Sequence, residues 1–426
     1  MAEPTAIFGA ALCDPASGET ARDAVVLVED GRVVASGPRD GVAVPRDARR
    51  VDAEGLTLLP GLTDCHVHFR SLGNGRNLEE QLQTPPSLSV LNAVPAARST
   101  LEAGFTSVRD AGGTPAGVRM AAERGVIAGP RMQVAVTALS QTGGHTDQHF
   151  PCGVSLNLQV PDVPSSVVDG VEPMRQRVRE VIRAGADWIK LCTSGGVLSP
   201  GDDPHHATLT VDEIRAACEE GAAQGRRVMA HAQAAEGIKN ALRGGVATIE
   251  HGIWLDDDAL EMLLDGGNAL VPTLVAPLWV LRHAENGRMP SWAAEKGRAV
   301  FEDHKRSIGR AIEAGVTIAF GTDTGVGPHG TNGEEFLLLH ELGLPPLDCL
   351  RSATTVAART IGWEGEVGTL APGAHADVIG VPGDPLADLE LVAKPEHVHL
   401  VVRGGEVVKG AGGRPSSMKD GAAARA

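Results

Sequence analysis

The chain has 426 residues, 42% hydrophobic and 22% charged, with 53 glycines and no tyrosine. These proportions belong to a globular protein and exclude a disordered or fibrous chain. With 38 basic against 54 acidic residues the formal charge is −16, which argues against nucleic acid or an anionic membrane as the main partner. A small molecule is the expected partner, and self-association is left open. Six scattered cysteines include no Cys-x-x-Cys pair, so neither a cysteine-based zinc site nor a thioredoxin-like motif is expected. So sparse a set fits a reducing, cytoplasmic setting. The opening Met1-Ala-Glu-Pro-Thr-Ala-Ile-Phe has no basic region followed by an apolar run, so no signal peptide is expected. No stretch of about 18 apolar residues marks a transmembrane helix.

In chain order, the first 59 residues read as short strands and turns. Ala24-Val-Val-Leu-Val28 and Arg32-Val-Val-Ala-Ser-Gly37 flank Asp30-Gly31, the signature of a hairpin. The far end repeats the style in Ala376-Asp-Val-Ile-Gly-Val381, His397-Val-His-Leu-Val-Val402 and Arg403-Gly-Gly-Glu-Val-Val408. The two flanks, 1–59 and 368–409, are expected to pair into one small β-sandwich, and the Gly/Ala-rich residues 410–426 to be a disordered tail. Between them a phrase recurs: a helical run, a glycine, then a β-branched run ending in a polar residue, as in Ala241-Leu-Arg-Gly-Gly-Val-Ala-Thr-Ile-Glu-His251. Glycine suits the left-handed end of a helix, and the β-branched run suits a buried parallel strand. Eight strands are counted, at 62–68, 106–109, 132–137, 188–191, 228–231, 248–251, 270–274 and 317–321. Alternating α and β units over residues 60–367 predict a (β/α)8 TIM-like barrel. A doubly wound sheet is the alternative, weakened by the lack of a Gly-x-Gly-x-x-Gly motif after the first strand.

His66, His68, Lys190, His231, His251 and Asp323 all fall at carboxyl ends of predicted strands, the catalytic face of such a barrel. His66-x-His68 alone is weak, since 15 histidines in this chain give about 0.5 such pairs by chance. His397-x-His399 has the same spacing but lies on a predicted strand of the C-terminal flank, where a solvated face is expected. His66 and His68 share one face by the period of two, on a strand otherwise apolar at Leu58, Leu59 and Leu62. Two inward imidazoles there need a partner, for which a metal is suited. Lys190 is either a snorkelling lysine or a desolvated one whose neutral amine can add CO2 to become a carbamate. His231 and His251, 20 residues apart at equivalent points of consecutive units, are satisfied core histidines or ligands. Asp323 is an N-cap or a ligand.

Leu59-Pro-Gly-Leu-Thr-Asp-Cys-His-Val-His68, taken with Lys190, His231, Ile249-Glu-His-Gly252 and Gly321-Thr-Asp323, resembles the amidohydrolase superfamily. Within it the chain is most similar to the imidazolonepropionase-like and prolidase-like branch of M38-type peptidases. Thr142-Gly-Gly-His-Thr-Asp147, Thr193-Ser-Gly-Gly-Val-Leu-Ser-Pro200, Pro328-His-Gly-Thr-Asn332 and Val367-Gly-Thr-Leu-Ala-Pro-Gly-Ala-His-Ala-Asp377 support this. The resemblance implies a barrel beside a small β-sandwich and a site for two divalent ions, usually zinc. One metal would take His66, His68 and Asp323, the other His231 and His251. Lys190, carboxylated by CO2, would bridge them together with a hydroxide that attacks the substrate, while Asp323 shuttles the proton. The reaction implied is hydrolysis of an amide or peptide C–N bond in a small molecule, an Xaa-Pro or other dipeptide or an N-acyl amino acid. A ring-opening cyclic amidohydrolase or deaminase is the alternative, and a non-catalytic barrel is disfavoured by the intact ligand set.

The chain departs from its relatives at Gln233, where many carry Tyr or His two residues after the strand histidine. Gln233 can still donate a hydrogen bond to substrate. His145 and His329 are carried over as substrate contacts, with loop ordering as the alternative, and the local positive field for an anionic substrate is expected from them or from an arginine such as Arg109. His205 and His206 read as solvated loop residues. Specificity is expected in loops 71–95, 142–163 and 276–291, with Trp254, Leu255, Leu278 and Trp279 as a candidate apolar pocket or as core.

Overall fold

Alternating apolar residues shape the terminal strands. In Glu19–Glu29, Val26 and Val28 pack with Ile7, Leu58 and Val378, while Val25 and Leu27 pack on the other side with Ala6. That is the period-two pattern of a strand covered on both faces. In this computed structural model, which describes residues 3–410 apart from 76–77, 151, 158–159, 161 and 200, eight strands from both chain ends join in one mixed sheet. Leu56–Pro60 pairs antiparallel with Val378–Pro382, which ties the ends together. Thr5–Asp14 forks the sheet: its first half pairs with Arg49–Asp52, and after a register shift Ala11 and Leu12 pair with Thr57 and Leu58. Asp30 and Gly31 turn the predicted hairpin with φ of 47° and 75°, both positive as a type I′ turn requires. The tail expected at 410–426 lies outside the described residues beyond 410.

Two details of the flanks differ from the sequence expectation. Leu58 and Leu59 belong to this sheet rather than to the histidine strand, because Pro60-Gly61 breaks the run and a new strand begins at Leu62. The C-terminal strand begins only at Leu400, so His397 lies in a turn and accepts no strand pairing.

The αβ units supply two parallel sheets. Leu62–Val67, Phe105–Asp110 and Arg131–Val134 form one; Ala138–Leu139, Trp188–Cys192, Arg227–Ala232, Thr248–His251 and Ala269–Val271 form the other. The strand expected over 132–137 begins a bent passage serving both sheets. It ends at Val134, paired with the Arg109 strand; Val136, at φ 62°, breaks the run, and Ala138–Leu139, beyond the expected bounds, pairs with the Lys190 strand. The strand expected over 270–274 ends at Val271, with Thr273 left-handed at φ 59°. The segment expected as the last strand makes bridges rather than a ladder: Ile318 to Leu270 on one side and Thr324 to Val67 on the other. Leu270 N donates to Thr317 O and Cys65 N to Phe320 O, so this segment joins the free edge of one parallel sheet to the free edge of the other. Helices close on left-handed glycines where the recurring phrase requires them, as at Gly245 and Gly315 with φ of 95° and 84°. Among the described residues no helix is long and apolar enough to cross a membrane.

Candidate metal centre

Parallel strands running side by side bring their carboxyl ends to one edge, and the polar residues placed there by sequence converge. Asp323 Oδ1 lies 3.1 Å from His68 Nε2 and 3.6 Å from His66 Nε2. The His66 and His251 ring centres are 5.2 Å apart, and those of His231 and His251 4.6 Å. His66, His251 and Asp323 each offer an atom within 4.8 Å of the others. His251 and Asp323 sit left-handed, at φ 75° and 57°, uncommon for residues other than glycine and a place where backbone strain marks function.

Each imidazole has one nitrogen committed to the protein. A carbonyl or carboxylate oxygen only accepts, so His68 Nδ1 donates to Gly112 O at 2.8 Å, His66 Nδ1 to Glu250 Oε2 at 2.7 Å and His231 Nε2 to Gly195 O at 3.0 Å. His251 Nδ1 is 2.7 Å from Thr273 Oγ1. The second nitrogen of His68 meets Asp323 Oδ1, and those of His66, His231 and His251 make no hydrogen bond among the described residues; anchoring through one nitrogen is how metal-ligating histidines are oriented. Lys190 Nζ is buried with no hydrogen-bond partner. Burial pushes its amine below the ordinary lysine value, which favours the neutral form. Burial and the Lys190 charge lower His66 to about 4; His231 falls well below the ordinary value by burial and the charges of His145 and Lys190, and His251 does so by burial and repulsion from His231 and His66. Although burial pushes the Asp323 carboxyl up, His66 and His68 hold it below the usual carboxylate range. His68 runs the other way: burial pushes it down, but its bond to Asp323 and that carboxylate's charge raise it. An orphaned buried amine, three imidazoles kept neutral by burial and an ionised carboxylate beside a fourth are a donor set that fits divalent metals.

Beneath the ligand set lies a network that sequence reasoning missed. Arg109 and Glu250 are fully buried and paired at 2.8 Å, with Arg109 Nε also donating to Cys65 O at 2.7 Å. Arg109 therefore supplies no field to a substrate, contrary to expectation: its charge is spent on Glu250 and its face lies over Trp188. Although burial opposes it, Arg109 and His66 hold the Glu250 carboxyl at about 2. Asp64 ties the histidine strand to the Asp323 segment, accepting from His66 N, Thr322 Oγ1 and Asn332 Nδ2. Both acids carried a faint sequence signal, since each is the residue next to or two before a ligand in an otherwise apolar strand.

A cavity of about 770 Å3 opens over the centre. His145 and Gln233 line it, as do residues from all three loops expected to carry specificity, although parts of those loops are helical, as in Pro86–Leu91 and Val275–Glu285. The His145 ring stacks on His231 at 4.2 Å. Its Nδ1 lies 2.8 Å from Ser199 Oγ, which in turn bonds Asp202, and Lys296 Nζ pins the carbonyls of Gly196, Ser199 and Asp202. Gln233 Oε1 is buried without a partner.

Other residues are not brought to the cavity. His329 is held behind it, with Nε2 2.9 Å from Ser71 O and its ring against Phe69. Trp254, Leu255, Leu278 and Trp279 do not line it; Trp254 Nε1 instead donates to Asp303. Their neighbours Ile253, Pro277 and Val280 form the apolar wall, with Met289 and Val300. His206 is exposed, and His205 is exposed but stacked on Trp254 at 4.0 Å.

Imidazoles, a carboxylate and an amine gathered at the ends of parallel strands form the equipment of a hydrolytic enzyme that works with metal. The amidohydrolase family profile matches residues 57–408, and the chain belongs to that family, whose members hydrolyse C–N bonds. Ochratoxinase from Aspergillus niger is 34% identical, over 95% of this chain and 87% of its own. A crystal structure of a prolidase complexed with N-methylphosphonate-L-proline shares 37% identity at a TM-score of 0.88, covering 96% of this chain and 100% of that one. A Xaa-Pro dipeptidase with bound methionine in its active site shares 31% identity at a TM-score of 0.87, over 96% and 100% of the two chains.

Proposed function

We propose that this chain is a binuclear-metal hydrolase of an amide bond whose leaving amine belongs to an amino acid: an Xaa-Pro or other dipeptide, or an N-acyl amino acid. The observation that carries it is the unpartnered buried amine of Lys190 among imidazoles each anchored through one nitrogen. The likeness to a prolidase and a Xaa-Pro dipeptidase supports the substrate class. In this reading the eight parallel segments close as a (β/α)8 barrel over residues 60–367, beside a small β-sandwich made from the two flanks.

One divalent ion, zinc by preference, would be held by His66, His68 and Asp323, a second by His231 and His251, with Lys190 between them. The neutral Lys190 amine would add CO2 and release a proton, and the anionic carbamate so formed would help hold the ions. When bound, the ions would lower the pKa of water at the site and polarise the scissile carbonyl. Asp323, ionised by its histidine neighbours, takes the proton of the attacking water and hands it to the departing nitrogen, a role typically worth about 10²–10⁴ in rate. His145, fixed through Nδ1 and lining the cavity, would use its other nitrogen to meet the carbonyl oxygen as it gains charge. Gln233 offers an unmet hydrogen-bonding group to the substrate. The wall of Ile253, Pro277, Val280, Met289 and Val300 takes an apolar acyl or side-chain group.

The test compares a dipeptide, its C-terminal amide and a lactam with the metal-loaded enzyme. Hydrolysis of the free acid ahead of the others is expected. Faster turnover of the lactam would move the chain to ring-opening chemistry.

A further inference from the structure

Arg70 stands two residues beyond His68 on the wall of the same cavity. Its guanidinium packs on the Gly112-Gly113 turn, where a Cβ at Gly113 would come within 3.5 Å of Arg70 Nε. Among the described residues it makes no hydrogen bond or ion pair. Its one acidic neighbour is Asp110, and that carboxylate is already taken. Asp110 accepts from Phe69 N at 2.9 Å, Gly112 N at 3.0 Å and Thr114 Oγ1 at 2.7 Å.

Arg70 and Lys190 are the only lysine or arginine side chains on the cavity wall among the described residues. Lys190 is deep among the metal-ligand candidates. Arg109 and Lys296 are occupied: Arg109 by Glu250, Lys296 by Asp202 and loop carbonyls. A half-buried guanidinium with unmet donors is costly unless something arrives to meet them. Its planar fork matches a carboxylate bidentately. In a protein of charge −16, an anionic substrate needs such a local cation.

We infer that Arg70 binds the carboxylate of the substrate's amine half, making a free carboxylate beside the scissile bond the feature this site selects. The inference rests on the proposed reading of the chain as a hydrolase of amides of amino acids. The step it governs is binding alone. No bond is made or broken at Arg70.

The experiment reads binding apart from turnover. L-Proline and L-prolinamide, and L-phenylalanine and L-phenylalaninamide, products and product amides that carry no scissile acyl group, are titrated calorimetrically into metal-loaded wild type, Arg70→Met and Arg70→Lys. A charge-assisted bidentate contact should favour each acid over its amide by about tenfold to a hundredfold in wild type. Arg70→Met should abolish that preference while leaving amide affinity little changed. Arg70→Lys should keep part of it, as a point charge without the fork. Met retains the packing of the stem and no protein bond is lost, so both variants should fold. Acid preference surviving in Arg70→Met, or absent from wild type, overturns the inference. In kinetics with a dipeptide, Arg70→Met should raise KM and leave kcat within a few-fold. Acids held through Arg70 by an enzyme that hydrolyses neither dipeptides nor N-acyl amino acids would refute the substrate reading and leave the carboxylate site standing.

Discussion

Glu250→Gln separates the support of a ligand from the ligand itself. The Glu250 carboxylate is fully buried, accepting from Arg109 Nη2 at 2.8 Å and from His66 Nδ1 at 2.7 Å. An amide of the same shape leaves the Arg109 guanidinium buried and unpaired, which costs about 3–5 kcal/mol. It also turns an NH2 group either toward Arg109 and Thr248 or toward His66, so His66 loses a firm acceptor. Support of that kind is typically worth about 10–100-fold in metal affinity. The metal-free variant should therefore unfold in urea with stability lower by about 3–5 kcal/mol, and metal titration should show about 10–100-fold weaker binding. The pH dependence has a definite sign. Glu250 is held at about 2, against an ordinary value of 4.5, so its stabilisation is complete above the higher value and lost as pH falls toward the lower one. Glu250→Gln lacks that loss, and the gap between the two proteins should narrow over the same window. The double variant Arg109→Met/Glu250→Leu removes both charges. Apolar replacement of a buried pair is near neutral or stabilising, so stability should return while His66 stays unsupported and metal binding stays weak. A Glu250→Gln protein within about 1 kcal/mol of wild type and with unchanged metal affinity would refute this reasoning.

Further substitutions test individual assignments. His66→Ala or His68→Ala should remove one metal and nearly all turnover, whereas replacing His397 and His399 together should leave turnover within a few-fold; metal analysis and a rate assay check both. Lys190→Arg should hold the metal pair poorly, because a guanidinium stays charged and cannot be carboxylated, and full activity in that variant would remove Lys190 from the centre. Asp323→Asn should lower kcat by at least about 10²-fold, the lower end of acid–base catalysis, with the circular dichroism spectrum preserved.

Strand direction made much of the centre legible. His66, His68, Lys190, His231, His251 and Asp323 could be placed together because each falls at the carboxyl end of a predicted strand, and the strands were expected to lie parallel. What could not be read was the packing between units. Glu250 and His251 are neighbours on one strand, and a period of two sends them to opposite faces. The left-handed φ of 75° at His251 re-aims its ring, so Glu250 can support His66 from below while His251 joins it. Arg109 looked like a cation at a strand end, but its partner comes from a strand about 140 residues away in sequence, at 2.8 Å. Pairings that distant leave no local period. Arg70 was hidden for the opposite reason: what distinguishes it is the lack of a partner in three dimensions. The fork of the terminal sheet depends on a register shift between Phe8 and Ala10, which composition does not announce.

The central claim is that this amidohydrolase works with two metals held around Lys190. Its most direct test is the metal content of the purified protein by plasma emission, set beside that of Lys190→Ala. Two divalent ions per wild-type chain are expected, with loss of the pair in the variant and partial recovery on adding a short carboxylate that replaces the carbamate oxygens. One ion or none in active wild-type protein, or two ions retained in Lys190→Ala, would contradict it.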